Sequence, residues 1–353
     1  MVRVGRTILS DKGRKQNDER SANFDGAIQR TPRASGFGPF HPFGICGSGF
    51  FIPMTSASHA IGIDLGGSSI KAVAVTPAGE TLSRLNIEFD PNHRMEWAEK
   101  IRALVQQIGR ERGSAPAGIG LSAPGLAAAD GRSIVCMPER LQGLEGLDWT
   151  IFLDASKAVP VLNDGHAALL GEVWIGAARG FQNVILLTLG TGVGGAAMVD
   201  GRLLRGHIGR AGHLGHLSLD PDGPPDCTGT PGSIEVAIGN CTIQERSRGR
   251  FQTTHDLIAA HLNGNTEATA IWLKSVKALA AAVCSFINIL DPEAVIVGGG
   301  ISRAGTALFE PLEKLLEPME WRPGAHRAKI LPAQLGEFAG AFGAASNALK
   351  LSG

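Results

Sequence analysis

Apolar and polar positions along the chain fall into two similar stretches. The run Ile61-Gly62-Ile63-Asp64-Leu65 predicts a short strand, Gly66-Gly67-Ser68-Ser69 a turn, and residues 70–75 a second strand. Pro77-Ala78-Gly79 then turns the chain into a third strand near 82–89. Trp97, Ile101, Leu104, Val105 and Ile108 share one face at helical spacing and predict a helix. A strand at 119–121 leads into Ser122-Ala123-Pro124-Gly125, and another at 159–162 ends at Asn163-Asp164. The second stretch opens the same way: strand at 184–189, glycine turn at Gly190-Thr191-Gly192-Val193-Gly194-Gly195, strand at 196–199, and an Asp200-Gly201 hairpin into Leu203-Leu204. A buried helix at 279–290, a strand at 294–297 running into Gly298-Gly299-Gly300, a strand at 329–331 and an Ala-rich helix at 337–350 follow.

Residues 1–57 fit neither period. They hold eight Lys or Arg against four Asp or Glu, broken by Gly and Pro, and read as a disordered or non-native extension, with Met54 just before the first strand. The expected organisation is therefore this extension, a first α/β lobe at 58–165 joined by the helix 337–350, and a second α/β lobe at 166–336. Over the whole chain Lys plus Arg and Asp plus Glu both total 33, so no excess of positive charge argues for nucleic acid or an acidic membrane surface. The least charged stretches are interrupted by Gly and Pro, which argues against a spanning helix. Five scattered cysteines without a CxxC pair make no disulfide framework and place the chain in the reducing cytoplasm.

Glycine turns bring backbone N–H groups close to phosphate oxygens, because no side chain holds the backbone away. One such turn is equally well explained by a tight hairpin. Two of them, each opening a similar half and each carrying hydroxyls (Ser68, Ser69, Thr191), point to lobes that face one phosphate chain. Asp64 ends the first strand beside its turn, where a carboxylate either organises Mg²⁺ through water or closes the turn on local N–H groups. Neither turn has the spacing of a P-loop or of a dinucleotide-binding fingerprint.

Asp64-Leu65-Gly66-Gly67-Ser68-Ser69-Ile70-Lys71, Asn163-Asp164, Leu189-Gly190-Thr191-Gly192-Val193-Gly194-Gly195 and Gly215-His216, in this order, resemble the ROK family of sugar kinases and related repressors. The resemblance implies an α/β, two-lobed ribonuclease H-like (actin-like ATPase) fold with duplicated mixed β-sheet domains and a cleft between lobes. It also implies ATP with Mg²⁺ as cofactors, a sugar or polyol as partner, and a homodimer. By the same resemblance Asp164 is the catalytic base and Asn163 its sugar-binding neighbour. Asp64, Gly66, Gly67, Ser68, Ser69, Lys71, Gly190, Thr191, Gly192, Gly194, Gly299 and Gly300 belong to the nucleotide side.

The chain also departs from the family pattern. Relatives carry Glu-x-Gly-His, where this sequence has His213-Leu214-Gly215-His216, so an imidazole replaces a sugar-binding carboxylate. Their CxCGxxGCxE segment, which binds structural zinc with the His, reads Asp226-Cys227-Thr228-Gly229-Thr230-Pro231-Gly232-Ser233-Ile234-Glu235. Glu235 keeps its place as a sugar contact, but Cys227 falls between ligand positions, and zinc of the family type is not expected. Glu139 brings a charge to the position of a sugar-contacting Asn. His213, His216, Glu139, Asn163 and Glu235 are the expected substrate side. A sugar-responsive repressor, an idle sugar-binding protein, and a kinase using polyphosphate are the competing readings. Residues 1–57 offer no pair of amphipathic helices for the first.

Overall fold

A computed structural model describes residues 58–137 and 140–352, and the expectation for residues 1–57 lies outside that part. In chain order the first half comprises β1 (Ala60–Leu65), β2 (Ser69–Val75), β3 (Thr81–Glu88), α1 (Glu96–Arg112), β4 (Gly118–Ala123), the small pair β5 (Leu126–Ala127) and β6 (Ile134–Cys136), α2 (Trp149–Phe152), β7 (Val161–Asn163) and α3 (Asp164–Ile175). The second half comprises β8 (Val184–Leu189), β9 (Val193–Val199), β10 (Arg202–Leu203), α4 (Ile234–Ile238), α5 (Ile243–Arg246), α6 (Thr254–Leu262), α7 (Thr266–Leu290), β11 (Ala294–Gly298), α8 (Thr306–Leu316), β12 (Lys329–Pro332) and α9 (Ala339–Ser352).

The two sheets repeat one topology. Their strand orders are β3-β2-β1-β4-β7 and β10-β9-β8-β11-β12, with the first three strands of each half antiparallel and the remaining pairings parallel. β1 and β4 are covered on both faces and read as almost unbroken apolar runs, whereas the edge strand β3 alternates partly buried Leu85 and Ile87 with exposed Arg84, Asn86 and Glu88. α1 lays Trp97, Ile101, Leu104 and Ile108 on the first sheet. It stops at Gly113, whose left-handed φ of 66° lets its N–H reach back to the Gly109 and Arg110 carbonyls.

In the second half Trp272, Val276, Leu279, Val283 and Phe286 of α7 pack under β8 and β11. α7 is the one helix among the described residues long and apolar enough to cross a bilayer. That apolar face is buried in the core of its own lobe.

α9 returns to the first sheet, and glycines set how closely. A Cβ at Gly62 of β1 would collide with Ala341 O, and one at Gly120 of β4 with Ala344 O. On its other side α9 crosses α3 backbone to backbone, because a Cβ at Gly343 would collide with Ala167 O and one at Gly171 with Ala339 O. α3 in turn packs Ala167 and Leu170, together with Leu162 of β7, against Leu186, Ala196 and Ile296 of the second sheet, so this helix pair lies at the junction of the halves.

Three expectations change. β9 starts at Val193 rather than 196, so Gly194 and Gly195 belong to the strand and not to the turn. α9 starts at Ala339, after a 3₁₀ turn at Gly336–Phe338. Asn163-Asp164 leads directly into α3, a helix that no stripe in the sequence predicts.

Candidate active site

β1, β4 and β7 run parallel and end at one edge of the first sheet, with Asp64 beside Ser122 and Ala123 beside Asn163. The carboxyl ends of such strands are where open α/β sheets collect ligands. Ser122 Oγ donates to Asp64 Oδ1 at 2.6 Å. Burial pushes the Asp64 carboxyl up to about 6, the charge of Asp164 adds to the rise, and the Ser122 bond and Lys71 oppose it. Gly340, in the first turn of α9, leaves room for this carboxylate, since a Cβ there would lie 2.6 Å from Asp64 Cγ.

Across the β1–β2 pair, Lys71 stands opposite Asp64 and donates from Nζ to Ser69 Oγ at 3.1 Å. Gly66 N–H closes the turn on Ser69 O at 2.8 Å, which leaves Gly67 and Ser68 at its tip. Beside that tip lies a cavity of about 360 Å³ lined by Gly67, Asn92, Arg94, Arg140 and Gln142.

Asn163 makes the corner between β7 and α3. Its side-chain oxygen accepts from Gly165 N at 2.9 Å and His166 N at 3.3 Å, and its Nδ2 donates to Gly125 O at 2.9 Å. The carboxamide thus caps the helix and retains a single N–H for a ligand. Asp164, the first residue of α3, reaches solvent at this edge and accepts from Gly165 N at 2.8 Å through Oδ1. Surrounding protein raises its carboxyl above the ordinary range, opposed by the Gly165 N–H and by His213. The positive end of α3 favours the anion at this position.

The second half meets α3 at its first turn. A Cβ at Gly165 would lie 2.5 Å from Gly195 O of β9. His166 Nε2 lies 2.9 Å from Ala211 O, and the rings of His166 and His213 are 6.3 Å apart and nearly perpendicular. His213 Nε2 is buried with no hydrogen-bond partner among the described residues. Burial holds the His213 imidazole below its usual pKa, with Asp164 pulling the other way.

His216 closes a 3₁₀ turn, Leu214–His216, that can approach β9 because a Cβ at Gly215 would collide with Val193 O. Its Nδ1 lies 2.8 Å from Asp226 Oδ2. Glu235, in the first turn of α4, accepts from Val193 N at 3.0 Å through Oε2 and from the Cys227 thiol at 3.2 Å through Oε1. Burial pushes the Cys227 thiol up to about 11, and the Glu235 bond adds to it.

The second glycine turn is held from behind. Gly190 N–H donates to Gly192 O at 2.9 Å, while Asn240 N and Cys241 N donate to the carbonyls of Gly190 and Thr191 at 3.0 and 2.8 Å. Gly192 has no room for a Cβ because Glu235 Oε2 is there. Gly299, at φ 87°, lies against the end of β8, where a Cβ would collide with Leu189 O, and Gly300 opens to solvent.

Asp64, Asn163 and Asp164 are thus gathered at the edge of the first sheet, with His213 close enough to Asp164 for their charges to interact. His216 and Glu235 are held against the start of β9. Gly190, Thr191, Gly192, Gly299 and Gly300 share the corresponding edge of the second sheet. Gly194 stands apart: it pairs with Thr188 inside the sheet, and a Cβ there would crowd Thr188 Oγ1 at 2.5 Å. Glu139 lies outside the described residues. Ser122 and Asp226 are partners that the sequence reading did not include in the site. Ser122 carried a signal, since it opens the Ser-Ala-Pro-Gly segment at a strand end, whereas Asp226 shows its importance only once Thr228, Ser233 and His216 surround it.

The sequence model of the ROK family matches residues 60–350. The chain is 31% identical over 306 residues to a glucokinase of Thermotoga maritima, covering 81% of this chain and 96% of that one. It is 29% identical over 284 residues to an N-acetylmannosamine kinase of Vibrio cholerae, covering 77% and 93%. The crystal structure of a ROK family glucokinase from Streptomyces griseus, in complex with glucose and AMPPNP, superposes with a TM-score of 0.68 at 27% identity, covering 83% of this chain and 100% of that one. Fold and duplicated sheets define a two-lobed α/β protein of the ribonuclease H-like, actin-like ATPase class. Within that class, the chain belongs to the ROK family.

Proposed function

We propose that this sugar kinase transfers the γ-phosphoryl group of ATP to a hydroxyl of a hexose or related polyol, with Asp164 as the general base. The observation that carries this reading is the place of Asp164. It opens α3 at the carboxyl edge of the first sheet, near enough to Asp64 for their charges to interact, and it meets the 211–216 segment of the second half. The relatives named for glucose and N-acetylmannosamine support a sugar hydroxyl as acceptor.

A sugar hydroxyl is a poor nucleophile at neutral pH. Asp164 would accept its proton as the O–H bond breaks and the new O–P bond forms, with ADP as the leaving group. A carboxyl held above its ordinary pKa is the stronger base for this step, and it returns the proton to solvent afterwards. His213, His216, Glu235, Glu139 and the remaining N–H of Asn163 would orient the sugar.

Backbone N–H groups at Gly66–Ser68 and Gly190–Gly192 would cradle the phosphates, and Gly299 and Gly300 would line the adenosine side. Mg²⁺ bound with ATP would neutralise phosphate charge, and Asp64, backed by Ser122, is the carboxylate that would hold it.

Asp164→Asn tests the base. Sugar-dependent ADP release should fall by about 10²–10⁴-fold while sugar binding, followed calorimetrically, persists. Near-normal turnover would remove the assignment. One observation favours a second donor, polyphosphate: Arg94 and Arg140 line the cavity beside the first glycine turn, where a chain longer than a triphosphate would meet positive charge. Comparing ATP with polyphosphate at equal phosphate concentration decides between them.

A further inference from the structure

The family pattern places a structural zinc on His216 and on the positions that Asp226, Thr228 and Ser233 occupy here. These side chains do not fit it. Tetrahedral structural zinc is closed by thiolates and imidazoles, whereas this set supplies one imidazole, one carboxylate and two hydroxyls. The Asp226 carboxylate is moreover already saturated. Oδ1 accepts from Thr228 N at 2.8 Å, Thr228 Oγ at 2.8 Å and Thr230 N at 3.0 Å, and Oδ2 lies 2.8 Å from His216 Nδ1. The Ser233 hydroxyl adds to the groups that hold the carboxyl ionised. A carboxylate offers about four lone-pair sites, so none remains for a cation.

We propose that a metal-free hydrogen-bond hub centred on Asp226 organises residues 213–235 and positions His216 and Glu235 for the sugar. The Asp226 side chain is fully buried, so its charge persists only because donors surround it. Those donors come from the same positions that would otherwise meet at a metal. One arm fixes His216: with Nδ1–H given to Asp226, Nε2 is left as an acceptor for a sugar hydroxyl. The other arm reaches Glu235 through Ser233, whose Oγ accepts from Val236 N at 3.4 Å and caps α4. Asp226 is a positioning residue in this scheme.

His216, Cys227 and Glu235 do bring ligand atoms within 4.8 Å of one another. The cluster is already tied together without a cation: the Cys227 thiol donates to Glu235 Oε1, Glu235 Oε2 accepts from Val193 N, and His216 Nδ1 is held by Asp226. A cation there would have to displace the Cys227 thiol proton from Glu235 Oε1.

The inference rests on the sugar-kinase reading for His216 and Glu235, and two of its tests do not depend on turnover. The purified full chain should carry no stoichiometric zinc by elemental analysis, and chelator should leave its Tm unchanged. One bound zinc per chain, or a Tm that falls with chelator, overturns the proposal. Nitrogen NMR of the sugar-free protein should show His216 as the Nδ1–H tautomer, and the Nε2–H tautomer overturns it. In turnover, Asp226→Asn, which keeps the shape of the side chain, should raise the sugar KM by about tenfold or more while leaving kcat and the nucleotide KM nearly unchanged. Thr228→Val should show a weaker version of the same split. A folded Asp226→Asn protein with the wild-type sugar KM removes the positioning role. If instead no sugar is phosphorylated by the wild type, metal content and tautomer still decide the hub.

Discussion

Asp64 sits where a carboxylate resists ionisation, and burial is the largest cause. Such groups weaken the folded state at neutral pH. With a folded pKa of about 6 against 3.8, Asp64 destabilises fully above about pH 6. The penalty fades as pH falls and is gone below the unfolded value. Asp64→Asn should therefore raise Tm at pH 8 and lose that gain between about pH 6 and pH 4, read from melting curves across pH. An equal gain at every pH would point to packing instead of charge. Its residue type and place at a strand end make Asp64 legible in the sequence. What is not legible is the division of labour between neighbours: Asn163 occupies three of its hydrogen-bonding positions in shaping the β7–α3 corner, and that follows only from knowing that a helix starts there.

That helix shows why some elements escape a pattern reading. α3 is buried almost all round between the two sheets, so Ala167, Ala168, Leu169 and Leu170 leave no polar stripe to set a phase. β1, β2, β8 and α1 are the opposite case: the strands are short apolar runs beside glycine turns, and α1 keeps a clear helical period. α6 carries a readable start, a Thr253–Asp256 capping box, but it holds no chemistry that draws the eye. Helix packing also separates two kinds of glycine. Gly109, within α1, has nothing within 4 Å of an added Cβ, whereas a Cβ at Gly343 of α9 would strike the Ala167 carbonyl of α3. Gly109→Ala should stabilise by about 0.5–1 kcal/mol, and Gly343→Ala should destabilise by about 1–3 kcal/mol, both measured by denaturant unfolding. Equal effects at the two sites would mean that the α3–α9 crossing has slack.

For the whole molecule, the duplicated order of strand, glycine turn, strand, turn, strand anticipated the antiparallel part of each sheet, because local pairing and turns repeat in the sequence, while the duplicated mixed sheets followed from the family resemblance. How the halves approach was not anticipated, since it depends on small residues of α3 and α9, far apart in the chain, meeting backbone to backbone. The family match begins at residue 60. Removing residues 1–57 should accordingly leave Tm and turnover unchanged, and an insoluble product would give that segment a part in folding.

α9 also fixes a sequence of events in the cell. It is the last described element to leave the ribosome, yet Ala60, Val73 and Val75 of the first strands wait for its Ala341, Phe342 and Ala345 to cover them. The nascent chain must therefore keep its earliest sheet unfinished until α9 has been made, which makes the growing polypeptide a natural client for chaperones that shield apolar strands.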